Sequence, residues 1–258
     1  MPFTLAHPAA VLPLRRVPLL LTVPLIIGAV SPDIPYYLPA ALSQYIPQGT
    51  HTLRGTVMLD VPMGMMVLLM LWLMRVPLTA PLGARARTLC VGAMQRFGSR
   101  PLHWVRAPLS VLIGAWTHVL WDSFTHPNDW MVRRIALLRA PVTIGWYTGE
   151  LCHVLQYLSS VFGLAVMTLW FLRLPAPRPA SEPGLRSGRL ILLAVLLLAA
   201  LAPAGYEVHR DVIPHVTPIY RTLYLVLTRT LAWFALFYTL AGLIIAWAVR
   251  LPLRRQTS

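Results

Sequence analysis

Three stretches of this sequence, Gly55–Met74, Glu150–Leu172 and Leu231–Val249, stay apolar over the ~20 residues an α-helix needs to cross a bilayer. Backbone in hydrocarbon must satisfy its own hydrogen bonds, and a helix does so internally. The expectation is an all-α fold: a polytopic helical membrane protein with about five to six membrane-embedded helices. The remaining candidates are less regular. Ala107–Thr125 is an apolar run stopped by Pro127, and Leu190–Ala204 is short. Composition agrees, with 57% hydrophobic and 12% charged residues and a mean hydropathy of +0.65. Those values lie outside the soluble globular range.

The N-terminal region leaves two arrangements open. Residues 3–14 and Val17–Val30 are apolar runs on either side of Arg15-Arg16, each too short to span. One continuous helix would hold His7 and Asp33 roughly 39 Å apart. A hairpin turning at Arg15–Pro18 would return them to the same end, and the paired arginines with Pro18 favour it. The run leads into Ser31-Pro32-Asp33 without a small-residue cleavage pattern, so the segment is expected to stay uncut. Cys90 and Cys152 have no paired spacing. The organisation reads as a core over 1–172, a proline-rich linker over 173–189 and a two-helix addition over 190–258.

The net charge of +14 comes entirely from arginine, since the chain has no lysine. The arginines sit in short connections between apolar runs, not on one basic face with stacking aromatics, so no nucleic-acid partner is expected. If the runs alternate across a bilayer, fifteen arginines fall on one side and seven on the other. The richer side is expected to be cytoplasmic in a multi-pass membrane protein. The opposite end collects seven of the eight acids and every histidine but His103. A functional site would open there.

The chemistry concentrates in Trp116–Pro127. Positions four apart share one helix face, so His118, Asp122 and His126 form a single polar stripe. Imidazole, carboxylate and imidazole at that spacing suit a metal, and they equally suit a buried ion pair between helices. A carboxylate near the bilayer costs roughly 2.5–3.5 kcal/mol on insertion scales, so it normally has a partner. Asp60 lies inside a spanning run, nine positions after His51. It could be a ligand, an acceptor for a ligating imidazole or a partner for Arg54. Asp33 could cap a turn, and His51 could hydrogen-bond within Gly49-Thr50-His51-Thr52. Glu150 and His153 read as a polar helix start. His209, Asp211 and His215 read as a solvated connection.

The opening Met1–Pro8, the Pro32-Asp33 pair, His51-Thr52 and the His118-x-x-x-Asp122 helix resemble an uncharacterised bacterial membrane family, a domain of unknown function, over about residues 1–172. That family resembles the membrane-bound metal-dependent hydrolases, the LexA-binding inner-membrane hydrolase-like group. More distantly it resembles the zinc-dependent phospholipase C and single-strand nuclease superfamily. The resemblance implies a helical fold holding a divalent metal, Zn or Mn, through His7, Asp33, His51, His118 and Asp122. Asp60 or His126 would serve as general base or support a ligand. The hydrolase-like group carries a second acid two residues after Pro-Asp, where this chain has Pro35.

Two classes of function follow. One is hydrolysis of a phosphoester or similar bond in an amphiphilic substrate arriving from the lipid bilayer. The other is a non-enzymatic membrane protein: a metal or proton carrier, a haem-binding subunit, or a structural partner whose polar cluster locks helices together.

Overall fold

The computed structural model describes residues 3–38, 40–43, 45–46, 49–145, 147–175, 185–212 and 219–248. Trp146, His215 and residues 176–184 of the linker lie outside the described residues, as does the side chain of Asp211. The described chain is mostly helical. One amendment to an all-helical fold is a small antiparallel hairpin, Pro141–Ile144 with Tyr147–Glu150, in register Pro141↔Glu150 to Ile144↔Tyr147. Its turn needs a left-handed residue, and Gly145 supplies one at φ +59°.

Among the described residues, four helices are long and apolar enough to cross a membrane: Leu53–Leu73, Leu151–Arg173, Gly188–Arg210 and Thr222–Ala248. Their large apolar side chains, such as Leu158, Val161, Phe162, Leu198 and Ile244, are exposed on the protein surface, as lipid-facing residues would be.

The contacts group the chain into two compact units built from non-contiguous stretches. The first comprises Met1–Asp33, Pro47–Leu68 and Phe97–Pro175. At its centre the Thr22–Val30 helix crosses the Pro101–Thr125 helix with backbones almost touching. A methyl group on Gly28 would run into the Val111 carbonyl, and one on Gly114 into the Leu25 carbonyl. A buried cluster of Val11, Leu25 and Ala29 completes this centre, and Leu14, Leu20, Ile26 and Ile113 pack against it.

The N-terminal chain is a hairpin, as its arginines and Pro18 suggested. A 3-10 turn, Pro13–Arg16, ends at an extended Val17, and the chain re-enters a helix at Thr22. Arg106 donates to the carbonyls of Pro18 and Leu19, and the Leu21 amide donates to Ser110 Oγ at 3.0 Å. The turn is therefore tied to the Pro101–Thr125 helix. That helix starts with Pro101 at its first position, six residues before the apolar run begins, and stops at an extended His126 before Pro127. The Leu53–Leu73 segment opens on the Thr52 side chain, which accepts from the Gly55 amide at 3.0 Å. It then widens into one π-helical stretch, Thr56–Asp60.

The second unit comprises Ile34–Ile46, Leu69–Arg96 and Ala176–Ser258. Its Leu185–Val212 and Ile219–Ala248 helices pack on each other. Both run further than the apolar segments 190–204 and 231–249 implied. Buried Glu207 takes a hydrogen bond from Trp233 Nε1 at 3.1 Å and pairs with Arg229 at 3.4 Å. Within the same unit, Tyr238 donates to the Leu78 carbonyl at 2.8 Å.

Because the crossing at Gly114 leaves no room for a side chain, Gly114→Val should destabilise the protein by about 3 kcal/mol. Gly205, with open space around it, should gain up to about 1 kcal/mol on substitution by Ala. Unfolding of both variants in detergent, followed by circular dichroism, checks the contrast.

Candidate metal centre

Five side chains expected from sequence meet within the first unit. His7 lies in the corner between the Thr4–Ala6 turn and the Pro8–Val11 helix. Asp33 sits in the 3-10 stretch that follows the Thr22–Val30 helix. His51 immediately precedes the Thr52 cap, and His118 and Asp122 stand one turn apart on the buried face of the Pro101–Thr125 helix. His7, Asp33, His118 and Asp122 are buried, and the His51 side chain is 27% exposed.

The distances define a tight set. His51 Nε2 is 3.2 Å from Asp33 Oδ1 and 3.6 Å from Asp122 Oδ2. His118 Nε2 is 3.6 Å from Asp33 Oδ1 and 3.3 Å from Asp122 Oδ2. Ligands held tetrahedrally at the usual zinc bond lengths stand about 3.3–3.4 Å from one another, and these four nitrogen–oxygen separations are of that size. Two triads sharing His118, His7–His118–Asp122 and Asp33–His51–His118, each bring three ligand atoms within 4.8 Å of one another. The outer oxygens are tied back. His7 Nε2 is 3.0 Å from Asp122 Oδ1, and the Thr4 hydroxyl donates to Asp33 Oδ2 at 2.5 Å.

The tautomer of His118 sharpens the point. Its Nδ1 is 2.8 Å from the Ala29 carbonyl oxygen, which only accepts, so Nδ1 carries the proton. In a neutral ring Nε2 then turns a lone pair toward two carboxylate oxygens, and Nε2 has no hydrogen-bond partner. Only a second proton or a metal cation relieves that repulsion. The His7 ring stacks on His118 with centroids 3.8 Å apart, which disfavours positive charge on both rings. The stacked pair would thus bring one positive charge to three buried carboxylates, Asp33, Asp60 and Asp122, with His51 the other imidazole against Asp33 and Asp122. A divalent cation balances the set better.

Asp60 ends the π-helical stretch, fully buried, with neither carboxylate oxygen hydrogen-bonded among the described residues. An ion pair with Arg54 is not formed. Asp60 lies within electrostatic reach of His51, His118 and Asp33. His126 joins the rim: its Nδ1 is 3.5 Å from Asp122 Oδ1 and 3.1 Å from the Asp122 carbonyl oxygen. Burial pushes the His126 imidazole below its ordinary pKa, with the Asp122 charge pulling the other way. Burial by itself would raise Asp33, but the His118 and His51 imidazoles beside it and the Thr4 hydroxyl outweigh it and hold the carboxyl below the ordinary range.

Two other sequence candidates have surroundings of their own. Glu150 accepts from Cys152 Sγ at 3.4 Å, and His209 is exposed on its helix. The sequence reading gave no role to Thr4, to the Ala29 carbonyl or to Trp121, whose ring lies 6.0 Å from His7. Trp121 sits three residues after His118, a spacing that marks a shared helix face.

Purified protein should carry about one divalent ion per chain, and His118→Ala with Asp122→Ala should carry none, as read by elemental mass spectrometry. Stripping the ion from wild type should lower stability by about 3 kcal/mol relative to protein in 100-fold excess over Kd. Melting curves with and without chelator measure that difference.

No curated protein and no solved structure is detectably similar to this chain. The resemblance to membrane-bound metal-dependent hydrolases and to the phospholipase C superfamily finds no support in these comparisons. A family profile described as a domain of unknown function, DUF4184, matches residues 1–249, further than the 1–172 expected, and the chain belongs to that family.

Proposed function

We propose that this chain is a membrane-embedded, metal-dependent hydrolase acting on a phosphoester or similar bond of an amphiphilic substrate. The observation that carries the reading is the set of His51 Nε2, His118 Nε2, Asp33 Oδ1 and Asp122 Oδ2, in which each imidazole nitrogen lies 3.2–3.6 Å from both carboxylate oxygens. A cluster serving only to lock helices would be satisfied by donors facing acceptors. Here His118, its Nδ1 proton committed to the Ala29 carbonyl, turns Nε2 toward two carboxylates, a place for a cation or a second proton between them.

A bound Zn²⁺ or Mn²⁺ supplies a Lewis acid that makes water nucleophilic near neutral pH and stabilises negative charge. His51, His118, Asp33 and Asp122 hold it. Thr4 and His7 fix the two carboxylates by their outer oxygens, and the Ala29 carbonyl fixes the His118 ring. Asp60, buried and unpaired, takes up the proton released from water. His126, with 23% of its side chain exposed, stands at the rim beside Asp122. His51 and His126 are the partly exposed members and form the mouth of the site. In addition to the four long apolar helices, the Pro101–Thr125 helix and the N-terminal hairpin are embedded. The arginine bias orients the mouth to the extracytoplasmic face of a bacterial inner membrane.

Wild type loaded with Zn²⁺ or Mn²⁺ should hydrolyse a chromogenic phosphodiester or phospholipid vesicles. Asp60→Asn should keep its metal and lose roughly 10²–10⁴ in kcat. Full metal content with no turnover by wild type on either substrate would overturn the hydrolase reading in favour of a non-enzymatic metal protein.

A further inference from the structure

A second feature of the first unit lies away from the metal set. A cavity of about 500 Å³ runs between the Pro8–Val11 helix with its Pro13–Arg16 turn and the Leu151–Arg173 helix. It is walled by Trp121, Phe162, Val166 and Trp170 and reaches Arg15 and Arg16. An adjoining cavity of about 460 Å³ shares Arg15, Val166 and Trp170 and adds Arg173. A third, about 410 Å³, shares Ala10 and Trp121 and continues to Phe124 and Thr125. Shared lining makes these one groove, apolar along its length and cationic at one end. Each part has the volume of a site for a small organic ligand, ~300–1,000 Å³.

Three exposed guanidiniums gather at the cationic end, and no acidic residue lines any part of the groove among the described residues. Arg15 lies over the Trp170 ring, 6.0 Å from its centroid, which holds that guanidinium beside the groove. The buried Trp170 indole N–H has no acceptor among the described residues. Arginine suits a phosphate, which it binds with two parallel donors. The apolar length suits an acyl chain.

From this pattern we infer that the groove binds an anionic phospholipid of the surrounding bilayer. Its phosphate lies between Arg15, Arg16 and Arg173, and one acyl chain follows Trp170 and Phe162 toward Trp121. The headgroup end belongs to the arginine-rich face, so this lipid is not the substrate of the metal site. Its binding does not depend on the metal.

The test uses full-length protein reconstituted into phosphatidylcholine vesicles carrying brominated phosphatidylglycerol or brominated phosphatidylcholine. Tryptophan quenching reports the lipid that occupies the groove. The brominated phosphatidylglycerol should be preferred roughly fivefold or more at low salt, with the preference fading as salt rises. The part of the signal lost in Trp170→Phe should carry the preference. Arg15→Gln with Arg16→Gln and Arg173→Gln should abolish it, and lysine at the same three positions should retain most of it. Equal quenching by the two lipids in wild type would overturn the inference. So would a preference that survives the glutamine substitutions, or one absent from the Trp170 signal.

Discussion

The near-contact between the Thr22–Val30 and Pro101–Thr125 backbones at Gly28 and Gly114 is the constraint on which the rest of the first unit depends. Close approach through small residues gives these two helices backbone-level packing that larger side chains would prevent. Here the approach also sets a register. It brings the Ala29 carbonyl to His118 Nδ1 and carries Asp33, four residues further on, to the other edge of the same imidazole. Two glycines that carry no chemistry thus decide which nitrogen of His118 is free.

The polar cluster shows how a mostly apolar chain concentrates charge. Asp33 and Asp122 each present one oxygen inward and have the other anchored, Asp33 by Thr4 and Asp122 by His7. A carboxylate fixed at both oxygens loses little further freedom when it binds a cation. The second unit handles its buried acid differently. Glu207 is answered by the Arg229 charge at 3.4 Å and by an indole N–H. Charge is balanced inside one unit and left in excess of acid in the other, and that difference separates a structural pair from a candidate site.

Much of this was legible in the chain itself. The His118 and Asp122 spacing placed both on one helix face, and the apolar runs anticipated most of the long helices. The paired arginines with Pro18 marked the turn that returns His7 to the level of Asp33. Other features could not be read because they are set by distant partners. The Arg106 clamp on Pro18 and Leu19 joins residues far apart in sequence, and no local pattern encodes it. The π-helical stretch that ends at Asp60 has no compositional mark. The Pro141–Glu150 hairpin is too short for alternation to stand out. The extra helical length at 205–212 and 219–230 was obscured by its polar residues, since hydropathy marks the lipid-facing part of a helix and not where its backbone pattern stops.

The bond between His7 and Asp122 joins residues 115 positions apart. At ~5–20 residues per second, on the order of ten seconds separate the synthesis of the two. During that interval the N-terminal imidazole and Asp33 have no helix to close against, and hydrocarbon is a poor place for either to wait. Assembly of this centre therefore comes late in biogenesis. The early hairpin must linger where water still reaches it, docking only once the ribosome has delivered the segment that completes it.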